Sequence, residues 1–207
     1  IASLRETLRA WRHAGETVAL VPTLGNLHQG HISLVELARR RADRIVVSVF
    51  VNPTQFGPGE DYQAYPRTLD HDRRRLTRAG AELLFAPAVE EMYPRVEDAG
   101  TVVSVPGLSS ILCGEFRPGH FDGVTSVVSR LFNIVQPDVA VFGQKDYQQL
   151  TIIRRLQADL HYPVAIIAGP TLREADGLAL SSRNQYLSAT ERKLAPMLYR
   201  AVSECGD

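Results

Sequence analysis

Apolar positions along the chain alternate between two periods, and this alternation is what first suggests a fold. Short β-branched runs at 17–21, 44–51, 81–85, 101–105, 139–142 and 164–168 read as strands. The runs at 44–51 and 139–142 are apolar almost throughout, as strands covered on both faces are. Helix-period segments lie between them at 4–13 (stopped near Gly15), 31–42, 70–78 (ended by Gly80), 121–135 and 145–160. Strand followed by helix, repeated, is the order of βαβ units, so an α/β fold with a parallel sheet is expected. Residues 52–65 form a polar Pro/Gly-rich loop, and 107–119 a turn-rich stretch. The βα rhythm stops at Gly169-Pro170, which places a domain boundary near 170–172. Beyond it a loop leads to a helix near Ser188, with Glu191 as capping-box partner.

Composition narrows the function classes. With 207 residues and 44% hydrophobic positions the chain can bury a core without disulfide support. Its 23 Lys+Arg balance 23 Asp+Glu, so there is no global field for a polyanion and no nucleic-acid partner is expected. Two basic clusters, Arg39-Arg40-Arg41 with Arg44 and Arg73-Arg74-Arg75 with Arg78, read as helix C-terminal charges that complement the dipole and solvate an outer face. Cys113 and Cys205 stand far apart in no metal-ligand spacing, which fits a reducing, cytoplasmic setting. Apolar runs are strand-sized, so no membrane span is expected. A Walker P-loop, a Gly-x-Gly-x-x-Gly after the first strand and a Gly-x-Ser-x-Gly elbow are all missing from the sequence, which disfavours Walker ATPases, simple dehydrogenases and serine hydrolases.

Candidate chemistry gathers where strands hand over to helices. Pro22-Thr23-Leu24-Gly25-Asn26-Leu27-His28-Gln29-Gly30-His31 follows the first strand, where a helix N-terminus can receive phosphate. His28 and His31, three apart, can share one side of a turn and donate hydrogen bonds to phosphate oxygens. A helix cap with two surface histidines is the competing reading, and a zinc pair would need further ligands that are not nearby. Gly143-Gln144-Lys145-Asp146 repeats the context: Lys145 could neutralise phosphate, while Asp146 or the Gly143 backbone could hold ribose or adenine, against the alternative of an ordinary acidic first turn. Ser181-Ser182-Arg183 suits a mobile clamp on a triphosphate, although Ser-rich turns are common. Gln55 and Gln149 share the strand edge and suit a small hydroxy acid, because each amide offers donor and acceptor without charge; solvated loop glutamines are the plainer alternative. Arg117-Pro118-Gly119-His120-Phe121-Asp122-Gly123 is open between a capped turn, a phosphate contact and a subunit contact. The stripe Val127, Val128, Leu131, Phe132 and Val135 reads as core packing.

Six blocks, in order, resemble the pantothenate synthetase (pantoate-beta-alanine ligase) family of HIGH-signature nucleotidyltransferases. They are Pro22-Thr23-x-Gly25-x-Leu27-His28-x-Gly30-His31, Phe50-Val51-Asn52-Pro53-x-Gln55-Phe56, Tyr65-Pro66-Arg67-Thr68, the Arg117 to Gly123 block, Gly143-x-Lys145-Asp146-Tyr147-Gln148-Gln149, and Arg173-Glu174-x-Asp176-Gly177-Leu178-Ala179-x-Ser181-Ser182-Arg183-Asn184. The resemblance implies a Rossmann-like sheet with helices on both faces over 1–171, then the truncated beginning of a smaller C-terminal lid domain over 172–207, in a homodimer. It implies ATP binding by Leu24, Gly25, Asn26, Leu27, His28, Gln29, Gly30 and His31, by Gly143, Gln144, Lys145 and Asp146, and by Leu172, Leu180, Ser181, Ser182 and Arg183. His31 would be the catalytic acid, with His28, Lys145 and Arg183 stabilising phosphate charge, and Gln55 and Gln149 would bind pantoate. Leu24 stands where the family often has Met, and Gln144 where it has Glu. Of the stretch 70–75, only Asp72 survives as a magnesium ligand, so Mg2+ is expected to arrive on ATP. The implied activity is ATP-dependent condensation of pantoate with β-alanine through pantoyl adenylate. The alternatives are another nucleotidyltransferase of this fold, or a truncated nucleotide-binding module with little turnover.

Overall fold

The computed structural model describes residues 1–94 and 100–205. Helix α1 (Ala2–His13) leads into β1 (Val18–Thr23), α2 (Gln29–Ala38), β2 (Arg44–Val49), α3 (Leu69–Ala79), β3 (Leu83–Phe85) and α4 (Val89–Met92). Then come α5 (Cys113–Phe116), α6 (His120–Val135), β4 (Val139–Gly143), α7 (Tyr147–Asp159) and β5 (Ala165–Gly169), with α8 (Ala189–Leu194) and α9 (Met197–Glu204) last. The strands form one parallel sheet of five in the order β3-β2-β1-β4-β5, the Rossmann-like order expected.

Residue parity along the strands assigns the two covering layers. In β1, Val18 and Leu20 face a core shared with Leu8 of α1, Val124, Val128 and Leu131 of α6, and Ile153 of α7. Ala19 and Val21 point the other way, onto Ile32 and Val35 of α2 and Leu76 of α3. Both faces are thereby buried, which is why the strands show little alternation in the sequence.

Strand order reverses between β1 and β4, whose register pairs Ala19 with Val139 and Leu20 with Ala140. Their carboxyl ends, Thr23 and Gly143, therefore emerge side by side. Here the sheet opens a crevice. The first expected phosphate loop leaves β1, and the second leaves β4.

Three expectations need correction. Residues 101–105 do not join the sheet: the Val103 N–H donates to Ser126 Oγ at 2.9 Å, Thr125 Oγ1 donates to the Val103 carbonyl, and Arg130 Nη2 donates to the Thr101 carbonyl at 3.0 Å. Side chains of α6 satisfy a backbone that would otherwise seek a ladder. The helix expected from 145 begins at Tyr147, after a 3-10 turn over Gln144–Asp146. Arg73, Arg74 and Arg75 lie in the middle of α3, and only Arg78 is in its last turn. Among the described residues, no helix is long and apolar enough to cross a membrane.

Candidate active site

The loop leaving β1 is held open by a buried carboxylate. Gly25 and Asn26 adopt left-handed backbone, φ +91° and +50°, and a Cβ on Gly25 would sit 2.9 Å from Val49 Cγ1. This kink turns two amides inward, Asn26 N–H onto Asp72 Oδ2 at 3.0 Å and Leu27 N–H onto Asp72 Oδ1 at 2.8 Å. The Thr68 hydroxyl donates to the same Oδ1 at 3.2 Å. Arg75 Nη1 donates to the Leu27 carbonyl at 2.8 Å, so α3 grips both sides of Leu27. Asp72, expected as a magnesium ligand, is thus fully buried, saturated by protein donors and outside the cleft. It anchors the loop. Among the described residues there is no group of three or more His, Cys, Asp or Glu that could hold a metal ion.

The two histidines cap α2, and the capping sets their protonation. Gly30 N–H donates to His28 Nδ1 at 3.1 Å, and His28 N–H donates to His31 Nδ1 at 3.2 Å. A ring nitrogen that accepts carries no proton, so each neutral imidazole keeps its hydrogen on Nε2. The rings lie 4.0 Å apart and both line the cleft. Burial, then the neighbouring charges of Lys145 and Arg75, lower the His28 pKa. Burial and the presence of His28 lower that of His31 to about 3. Burial thus favours the neutral His31 ring, which keeps an Nε2–H free to donate. Gly30 leaves room for this arrangement, since a Cβ there would sit 2.9 Å from His28 Cε1.

Lys145 and Asp146, paired at 3.1 Å, line the opposite lip together with Gly143. The C-terminal segment forms a third side. Leu180 N–H donates to the Leu172 carbonyl at 3.0 Å, closing a hairpin whose turn uses Gly177 at φ +96°. Leu172, Leu180, Ser181, Ser182 and Arg183 all line the cleft. Ser182 Oγ donates to the Asn26 carbonyl at 3.0 Å, docking the segment on the loop that leaves β1. The Arg183 guanidinium is already engaged, with Nε 2.9 Å and Nη2 2.8 Å from the two Asp61 oxygens.

Gln55 and Gln149 line the deeper part of the same cleft. The floor is apolar, made by Val124, Val127, Val128 and Leu131 of α6 with Phe142. Sequence reasoning missed this floor, because apolar helix spacing looks the same whether the face meets a strand or a cavity. Ser48, Phe50, Asn52 and Tyr65 were also missed as lining residues, although the Phe50–Gln55 block contained two of them. Five expected contacts do not line the cleft. Gly25, Asn26 and Leu27 donate inward, to Thr23 and Asp72, while Gln29 and Gln144 are exposed outside it.

A cleft at the point where strand order reverses, with hydrogen-bond donors on three sides and an apolar floor, defines an α/β nucleotide-binding protein. The family model for pantoate-beta-alanine ligase matches residues 1–207. The chain belongs to that family. Pantothenate synthetase of Stutzerimonas stutzeri (strain A1501) is 58% identical over 207 residues, covering 100% of this chain and 72% of the relative. That of Alcanivorax borkumensis is 60% identical over 204 residues, 99% of this chain and 71% of the relative. The crystal structure of pantothenate synthetase from Thermus thermophilus superposes with a TM-score of 0.87 at 58% identity, covering 94% of this chain and 71% of that one. That of pantoate-beta-alanine ligase from Francisella tularensis, complexed with beta-gamma ATP and beta-alanine, gives 0.86 at 38% identity, covering 94% of this chain and 76% of that one.

Proposed function

We propose that the chain is an ATP-dependent ligase that joins pantoate to β-alanine, releasing AMP and pyrophosphate. The observation that carries this reading is a single cleft lined by phosphate donors (His28, His31, Lys145, Ser182 and Arg183) and, deeper, by two amides over an apolar floor. Pantoate is a hydroxy acid with two methyl groups on one carbon. Amides for its oxygens and valines for its methyls match both halves of that molecule.

In the first step a pantoate carboxylate oxygen attacks the α-phosphorus of ATP, the bond to the β-phosphate oxygen breaks, and pyrophosphate leaves. Charge builds on the phosphate oxygens, where the Nε2–H groups of His28 and His31 and the cations Lys145 and Arg183 stabilise it. Because both rings are already neutral and oriented by their caps, no protonation is needed before reaction. In the second step the neutral amine of β-alanine attacks the acyl carbon. The anhydride C–O bond breaks, AMP departs and the amine loses a proton. Magnesium would enter bound to the ATP phosphates, a reading supported by Asp72 being taken up by backbone amides away from the cleft. A lid role for 172–207 is supported by its docking through Ser182 and Arg183. Unpaired, exposed Cys113 and Cys205 support a cytoplasmic setting.

The test follows pantothenate by mass and AMP in a single turnover. His31→Ala and Lys145→Ala are each expected to slow adenylate formation by about a hundredfold or more while changing pantoate affinity by less than about threefold. Near-normal AMP formation in both variants rejects the assignment. ATP binding without pantothenate in the parent chain favours the binding-module alternative.

A further inference from the structure

No residue of the block from Arg117 to Gly123 lines the cleft. The block backs the buried Gln55 from two directions. A Cβ on Gly123 would lie 2.2 Å from the Thr54 carbonyl oxygen, so only glycine lets α6 press this closely on the turn Pro53–Gln55. Asn52, buried beside it, donates from Nδ2 to the Gly123 carbonyl and to Gln55 Oε1, both at 3.1 Å. Oε1 of Gln55, which lines the cleft, is thereby oriented toward Asn52, leaving the NH2 as the free donor of that amide.

The backbone of Gln55 is fixed separately. His120 Nδ1 donates to the Gln55 carbonyl at 2.7 Å, which leaves His120 Nε2 as an acceptor. Arg117 Nη1 donates to that Nε2 at 3.1 Å, and the guanidinium has no other role to offer because it cannot accept. Arg117 is oriented by a bidentate pair with Glu60, Nε to Oε1 and Nη2 to Oε2, each at 2.6 Å. The ionised carboxylate persists, since Arg117 holds the Glu60 pKa down to about 2. His120 is kept neutral by burial, with the Arg117 and Arg183 charges opposing its protonation against Glu60 and the Gln55 carbonyl. None of Glu60, Arg117 or His120 lines the cleft.

We infer that Glu60, Arg117 and His120 form a positioning relay that fixes Gln55 so that its amide donors meet the carboxylate or hydroxyl oxygens of the hydroxy-acid substrate. The three residues set recognition of that substrate without touching it. This rests on the substrate reading above.

Pyrophosphate release is measured against pantoate at saturating ATP, and against ATP at saturating pantoate, for the parent chain, His120→Ala and His120→Asn. His120→Ala is expected to raise the pantoate KM about tenfold, with the ATP KM within about twofold. His120→Asn places an amide N–H near the position of Nδ1, and is expected to return the pantoate KM to within about threefold of the parent. Glu60→Gln, which leaves every cleft residue in place, is expected to move the pantoate KM in the same direction by a smaller factor. Equal shifts in both KM values, or an Asn variant no better than Ala, overturn the relay while the substrate reading stands. Pyrophosphate release by the parent that ignores pantoate overturns the substrate reading and the relay with it.

Discussion

At the scale of single residues, the two imidazoles that cap α2 have a structural reason to stay neutral. Protonating His31 at Nδ1 would break the cap it makes with the His28 N–H and add a charge beside Lys145 and Arg75. Its pKa is about 3 in the folded protein against 6.5 for the free group. Between those values the unfolded chain binds the extra proton, so the stability contributed by the neutral ring is fully present above pH 6.5 and is lost as pH falls toward 3. His31→Asn keeps an acceptor near Nδ1 and removes the titration. On going from about pH 7 to about pH 4, the parent should lose roughly 1–3 kcal/mol more unfolding free energy than the variant, the range being reduced for partial solvent access. Urea titrations across that range test this, and parallel curves for the two proteins would show that His31 titrates normally.

At the scale of elements, α3 anchors the 24–28 loop. Asp72 takes the inward amides of Asn26 and Leu27, and Arg75 takes the Leu27 carbonyl. Asp72→Asn puts an NH2 where one of these amides needs an acceptor, inside a fully buried site. The cost should be about 2–4 kcal/mol of stability, the same in excess magnesium and in excess chelator, as read by urea unfolding. ATP affinity should fall as the loop loosens. Were Asp72 a ligand, the stability loss would depend on magnesium. The residue was visible in the sequence as one acid among several; only the approach of α3 to the 24–28 loop reveals what it holds.

At the scale of the molecule, the C-terminal segment and the body meet through the ion pair of Arg183 with Asp61, and Arg183 is also proposed to bind ATP. Arg183 Cζ lies 5.6 Å from the Tyr65 ring centroid, and Nε and Nη2 donate to the two Asp61 oxygens. On the proposed reading, a triphosphate in the cleft competes with that carboxylate for the guanidinium. Asp61→Asn removes the competing charge, and should tighten binding of a non-hydrolysable ATP analogue by about three- to tenfold in calorimetry. Weaker binding in this variant would mean that Asp61 orients Arg183 for the nucleotide instead of restraining it.

Periodicity, punctuation and motif spacing were enough to specify the α/β class, every strand of the sheet and the two strand-to-helix loops that bound the cleft. These features are local, so a linear reading captures them: β-branched runs, Gly80 at a helix end and paired histidines three apart all act within a turn or two of chain. What tertiary structure decided depends on groups distant in sequence. Residues 101–105 have strand composition, yet α6 satisfies their backbone before any strand can. The valines of α6 have ordinary core spacing, yet the sheet leaves part of that face open as a floor. His120 supports Gln55 across 65 residues of separation. Burial, tautomer and partner choice are properties of the assembled site, because each is set by which donor, acceptor or charge arrives from another part of the chain.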